Sequence, residues 1–129
     1  MEWYLKVMKN HYADFNGRAR RKEYWMFGLF YMIIMIVLTI LDNMTGLAFT
    51  IPTGYGEDVS MGYGWLYCIG GLIHFVPAIA VTIRRLHDQD KSGWYCLISF
   101  IPFVGVIWLL VLLCTEGNKG TNRFGSDPK

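Results

Sequence analysis

The sequence predicts an all-α membrane protein: one N-terminal amphipathic helix at the membrane interface, then three transmembrane helices. Three observations predict it. The 129 residues are 53% hydrophobic and 16% aromatic but only 17% charged, where an ordinary soluble domain is about half apolar and a quarter charged. No Asp, Glu, Lys or Arg occurs in residues 24–41, 59–83 or 92–115, runs of 18, 25 and 24 residues. At ~1.5 Å rise per residue each run can cross a hydrocarbon core of roughly 30 Å, the first with little to spare. Lys and Arg number six before the first run, none in residues 42–58 and three in residues 84–91. A chain this short could hardly bury three helices that are apolar all round, which sets the soluble alternative aside. Residues 1–129 form a single integral membrane domain.

Residues 1–17 hold the interfacial helix and its stop. At 100° per residue Tyr4, Leu5, Val7, Met8, His11, Tyr12 and Phe15 share one face, with Glu2, Lys6, Lys9 and Asn10 opposite. Asn16-Gly17 supplies the stop. Such a helix suits the headgroup layer, or packs on the protein's own spans. The run 24–41 follows basic residues but ends in no small-x-small cleavage site, so it reads as a retained anchor. The loop 42–58 carries Asp42, Glu57 and Asp58. The run 59–83 and the eight-residue turn Arg84–Lys91 lead into 92–115 as an antiparallel hairpin. The charge distribution places the N-terminus and this turn in the cytoplasm of a multi-pass protein. Trp25 and Trp94 then fall at the inner interface, with Trp65 and Trp108 toward the outer one.

The run 92–115 has two readings. As one span it puts the polar tail 116–129 outside, and this is the preferred expectation. Broken at Pro102–Gly105, it becomes a re-entrant hairpin of two ~15 Å arms that returns the tail to the cytoplasm. Cys68, Cys96 and Cys114 all lie in apolar runs, unpaired by spacing. They predict neither a disulfide framework nor a metal site, and no cofactor is implied.

Three motifs carry a resemblance. They are residues 17–25 (Gly-Arg-Ala-Arg-Arg-Lys-Glu-Tyr-Trp), Arg84-Arg85-Leu86-His87-Asp88 with Ser92-Gly93-Trp94, and Ile101-Pro102-Phe103-Val104-Gly105 followed by Gly117 through Asn122-Arg123-Phe124-Gly125 to Asp127-Pro128. With the Trp3-Tyr4-Leu5 start, the chain resembles the domain-of-unknown-function 805 family (YhaH-like), small bacterial inner-membrane proteins with no established activity. The resemblance implies a bacterial inner membrane location and no mechanism.

Candidate site residues gather on the cytoplasmic face: Arg18, Arg20, Arg21, Glu23, Arg84, Arg85, His87, Asp88 and Arg123. Over residues 1–23 and 84–91 nine Lys/Arg stand against five Asp/Glu. Arginine grips phosphate with paired planar donors, so a site for anionic lipid headgroups is the sharp reading and orientation alone the plain one. Nucleic acid is set aside, because a basic run abutting an apolar span follows the membrane pattern. His87-Asp88 invites acid–base chemistry, but no nucleophile or metal cluster accompanies it. His74 is an intramembrane ionisable residue and so a functional candidate. Its plain alternative is a bond to a carbonyl freed by Pro77. Thr53-Gly54-Tyr55-Gly56 is a turn rather than a potassium filter, since Pro52 interrupts the approach.

The sequence therefore points to a non-catalytic accessory or regulatory membrane protein that engages anionic headgroups or a membrane partner. A small transporter or channel subunit is the alternative, and an enzyme on a phosphate-bearing lipid the third. Gly70, Gly71, Ala78 and Ala80 would permit close helix approach and homo-oligomerisation.

Overall fold

Helices carry most of the chain, as the apolar runs require, and one two-stranded hairpin interrupts them. A computed structural model describes residues 2–126, so the Asp127-Pro128 end of the tail motif lies outside the described residues. In order come α1 (Glu2–Leu5), a wide turn over Lys6–Asn10, α2 (Arg21–Thr45), β1 (Ala48–Pro52), β2 (Asp58–Gly64) and α3 (Trp65–His87). A 3₁₀ helix (Gly93–Phe100) and α4 (Val104–Cys114) follow. The chain divides into two compact units, one of residues up to Gly28 and from Val76 on, the other Leu29–Phe75.

In the first unit the N-terminal helix is shorter than its apolar periodicity predicts. It widens at Lys6–Asn10, where the His11 amide donates to the Lys6 carbonyl at 3.2 Å, five residues back. It ends there rather than at Asn16-Gly17. Val7 is fully buried with Ala19, Phe27 and Val81, and Tyr4 stacks on Phe27 at 5.8 Å. This face covers the protein's own core, as the packed alternative to an interfacial helix requires. The outer Leu5, Tyr12 and Phe15 remain exposed.

The continuous third helix preferred for residues 92–115 does not form. Ser92 caps the 3₁₀ helix by accepting from the Trp94 amide. Ile101 then turns extended (φ −78°, ψ 117°), the conformation a following proline imposes on its predecessor. Phe103 adopts φ 61°, and α4 runs back against the 3₁₀ helix. Gly105 makes the return possible, because a Cβ there would lie 1.8 Å from the Ile98 carbonyl oxygen. The break at Pro102–Gly105 is thus built from one proline and one obligatory glycine.

The second unit corrects two expected boundaries. Asp42 belongs to α2 rather than to a loop, and residues 59–64 form a strand rather than the start of a span. β1 and β2 pair antiparallel with Thr50 opposite Ser60 and Ile51 opposite Val59. Phe49, Ile51, Val59 and Tyr63 are residues that favour a pleated surface, which is why an all-α expectation fails here. Gly54-Tyr55-Gly56 is the hairpin tip, closed by Thr53 Oγ1 donating to the Glu57 carbonyl. Close approach occurs at Gly70, where a Cβ would lie 2.4 Å from Leu38 Cδ1. Among the described residues, α2 and α3 are the two helices long and apolar enough to cross a membrane.

Candidate functional site

The basic motifs do meet, but they close on one another. Glu23, in the first turn of α2, accepts from Arg84 Nη1 at 2.7 Å, and Lys6 Nζ lies 3.6 Å from its other oxygen. Asp88 accepts from Arg18 Nε at 3.0 Å on one oxygen and from Arg85 Nη1 at 2.9 Å on the other. Glu23, Arg85 and Asp88 are fully buried, and Arg84 is 2% exposed. Ions removed from water this completely persist only when paired and hydrogen-bonded. Two nitrogens of Arg84, Nε and Nη2, have no acceptor among the described residues.

The arginines are needed for their geometry, and that geometry is spent inside the chain. Arg18 spreads its planar fork over the Asp88 carboxylate and the carbonyls of Asn118, Gly120 and Gly125. An ammonium could not reach these acceptors together. Arg85 donates from Nε to the Leu113 carbonyl at 3.1 Å and from Nη2 to that of Thr115. Gln89 donates to the Leu112 carbonyl. These carbonyls lie at the C-terminus of α4, the negative end of its dipole, where a helix runs out of its own donors; that of Leu112 also takes the Thr115 amide at 3.3 Å. Arg85 and Gln89 therefore bring the end of α4 back to the end of α3.

The tail supplies the remaining caps. The Asn118 amide donates to the Asp88 carbonyl at 2.7 Å, and Asn122 Nδ2 to that of His87 at 3.0 Å. Gly117 passes so close that a Cβ would sit 1.9 Å from Asp88 Oδ2. The three motifs of residues 17–25, 84–94 and 117–125 thus form one body.

His87 and Asp88 are not a dyad. Asp88 gives its oxygens to two arginines, while His87 Nδ1 bonds the Gly17 carbonyl at 2.9 Å. The ring lies flat on Phe124, centroids 3.9 Å apart. Arg123 is exposed and pairs with Asp90 at 3.2 Å. Arg21 is exposed and donates to the Cys114 carbonyl, with Glu116 at 3.9 Å. Among the described residues, Arg20 and Lys22 stand apart from every such pair. Together with Lys6 they surround the Trp3 ring, 5.4–5.6 Å from its centre. Nearby, Asp14 accepts from His11 Nδ1 at 2.8 Å and from the Asn16 amide. The histidine bond, more than the amide or the charges of His11 and Arg84, holds its carboxyl below the usual carboxylate range against the opposing effect of burial.

His74 belongs to the other unit. It is 4% exposed, stacks on Tyr31 at 4.9 Å, and bonds the Gly70 carbonyl one turn back at 2.7 Å. The Nδ1 bond is thus made within the helix to Gly70, while Pro77 has no N–H for the carbonyl of Ile73. Asp42 escapes sequence reasoning altogether. Fully buried, it accepts from the amides of Gly64, Leu66 and Tyr67 at 2.9–3.0 Å and so caps α3. Its signal was a lone carboxylate at the end of an apolar run. Trp3 and Gly117 were also missed as site members, because their partners come from distant positions.

The family model described as "Protein of unknown function (DUF805)" matches residues 12–126. The chain is 48% identical to "Inner membrane protein YhaH" of Escherichia coli (strain K12), over 100% of this chain and 98% of the relative. It is 45% identical to "Inner membrane protein YhaI" of the same strain, over 100% and 97%. "Uncharacterized protein YiiR" is 24% identical over 88% and 85%. No solved structure matches. With two long apolar helices and relatives named for the inner membrane across its full length, this chain is a membrane protein and belongs to the DUF805 family of unknown function.

Proposed function

We propose that this protein is a small non-catalytic accessory or regulatory component of the bacterial inner membrane. Its cytoplasmic face engages anionic lipid headgroups or a membrane partner. The observation that carries this reading is how the cations divide. Arg18, Arg84 and Arg85 are consumed by Glu23, Asp88 and backbone carbonyls, which makes the three-motif body a rigid platform. Arg20 and Lys22 are left outside it, at the foot of the apolar α2.

In this reading α2 and α3 cross the bilayer with the N-terminus inside, following the Lys/Arg distribution. Gly93–Cys114 enters and returns. Its eight-residue 3₁₀ arm and eleven-residue α arm each reach ~16 Å, about half of a hydrocarbon core. The exposed Phe100, Phe103, Ile107 and Val111 suit surrounding acyl chains. The β hairpin lies outside and the tail inside.

Single cysteines test the topology in protein whose native cysteines are replaced. Thr50→Cys should react with an impermeant maleimide in cells with a permeabilised outer membrane, and Ser126→Cys only after the inner membrane is broken. Labelling of both from outside would overturn the re-entrant arrangement. Purified protein should retain phosphatidylglycerol over phosphatidylcholine, and equal retention would remove the headgroup reading.

A transporter subunit has one observation in its favour, the buried His74 against Tyr31. Proton flux in proteoliposomes that is abolished by His74→Leu would favour it.

A further inference from the structure

We infer that Trp3, Lys6, Arg20 and Lys22 form a binding site for the phosphate of an anionic phospholipid. The inference rests on the headgroup reading above and names its site. Lys6 Nζ, Arg20 Cζ and Lys22 Nζ lie 5.4, 5.5 and 5.6 Å from the centre of the Trp3 ring. No two of these charges are more than about 11 Å apart, the scale of one Debye length in dilute salt, so each feels the others' repulsion. The ring attracts each cation through its quadrupole but carries no net charge to neutralise them.

Among the described residues, carboxylates do not answer the cluster. Arg20 and Lys22 make no ion pair with any described Asp or Glu. Among the described carboxylates Lys6 has only Glu23 at 3.6 Å, and Arg84 already holds that one at 2.7 Å. The helix adds to the imbalance. Arg21 and Lys22 share the first turn of α2 with Glu23, where the dipole and unpaired amides favour an anion and disfavour cations, and Glu23 is already held by Arg84. Three cations around one tryptophan, beside a helix N-terminus, suit a phosphate by chemistry.

A second feature makes the occupant a lipid rather than a free phosphate. Lys22 also borders an open cleft of about 450 Å³ shared with Arg21, Trp25, Met26 and Cys114. Trp25 is 42% exposed there, at the start of the apolar part of α2. A phosphate held by the cluster places its glycerol and acyl chains along that cleft, whose lining beyond the two cations is apolar. A phospholipid joins phosphate oxygens to acyl chains, and free inorganic phosphate has nothing to lay in the cleft.

Native mass spectrometry of the full chain in neutral detergent, titrated with phosphatidylglycerol or phosphatidylcholine, tests the assignment. Each basic residue near an anionic headgroup contributes about fivefold in affinity. Arg20→Gln/Lys22→Gln should therefore weaken phosphatidylglycerol binding roughly 30-fold with the unfolding temperature unchanged. Trp3→Leu, which keeps every charge, should weaken it by a smaller factor. Lys9→Gln/Lys119→Gln, equal in charge, should leave it intact. Equal losses in both double variants would show diffuse attraction and overturn the site while sparing the headgroup reading. A wild type with no preference for phosphatidylglycerol would sink the headgroup reading itself. Displacement of the lipid by millimolar inorganic phosphate would make this a site for a soluble anion and overturn the lipid assignment.

Discussion

Asp88 and Asp42 are both fully buried carboxylates at the end of a membrane-length helix, yet they are answered in opposite ways. Asp88 is held by the guanidinium groups of Arg18 and Arg85. Asp42 is held by backbone amides alone, those of Gly64, Leu66 and Tyr67. Two buried cations and their carboxylate depend on each other. Removing the anion strands the arginines, a larger loss than the pair's own contribution to stability. A carboxylate on a helix N-terminus meets only partial charges, and the amides it leaves behind can be rehydrated. The cationic end also ties together three segments distant in sequence. The amide-bonded end joins only α2 to the hairpin and the helix that follow it.

The comparison predicts unequal costs. Asp88→Ala should cost about 3–5 kcal/mol, because Arg18 and Arg85 lose their counter-ion while buried. Thermal unfolding in mild detergent reads this directly, and cysteine labelling at Ser126 should report that the tail has come loose. A loss below about 1 kcal/mol, the scale of an exposed pair, would mean that water reaches the lattice.

Asp42→Ala should cost less, about 2 kcal/mol for a charged cap with several amides. The loss should stay local. Hydrogen exchange should quicken at Gly64, Leu66 and Tyr67 and leave Asn118 protected. If Asn118 exchanges equally fast, the two ends unfold as one and the contrast between them fails.

Particular residues show what was legible. Arg18, Glu23, Arg84, Arg85 and Asp88 could be grouped because the Lys/Arg distribution puts them on one face. Their role could not, since more than half of the acceptors of Arg18, Arg84 and Arg85 are carbonyls in residues 112–125, and every residue carries a carbonyl. Pro102 and Gly105 marked a break in the third run. What fixes its direction is Arg85 reaching Leu113 and Thr115, a contact with no periodic signature. Phe49 and Ile51, with Val59, Met61 and Tyr63, alternate as strands do. Their lack of charge hid them beside a membrane-length apolar run. The Trp3 cluster draws on positions 3, 6, 20 and 22, and no spacing rule joins two segments separated by a turn.

Asp14 extends the comparison to a carboxylate open to water, where the smallest effect is expected. It pairs with His11 at 2.8 Å, and its side chain is 35% exposed. Its carboxyl is held below the ordinary range, first by the bond from His11 and then by the Asn16 amide and the charges of His11 and Arg84. A carboxyl with a folded pKa below its unfolded one adds stability that is complete above the unfolded value. That stability is lost as pH falls through the folded value. The turn over residues 11–16 should therefore loosen only on strong acidification, below the ordinary aspartate range near about 4. Asp14→Asn should remove that acid-dependent step and leave neutral-pH stability almost unchanged, because solvent screens so exposed a pair. Carbon-detected titration of the Asp14 carboxyl in isotope-labelled protein measures its midpoint. A midpoint at or above that of the unfolded chain would show that the His11 bond does not persist in solution. Asp14 would then be an ordinary surface carboxylate, and only the two buried ones would organise the fold.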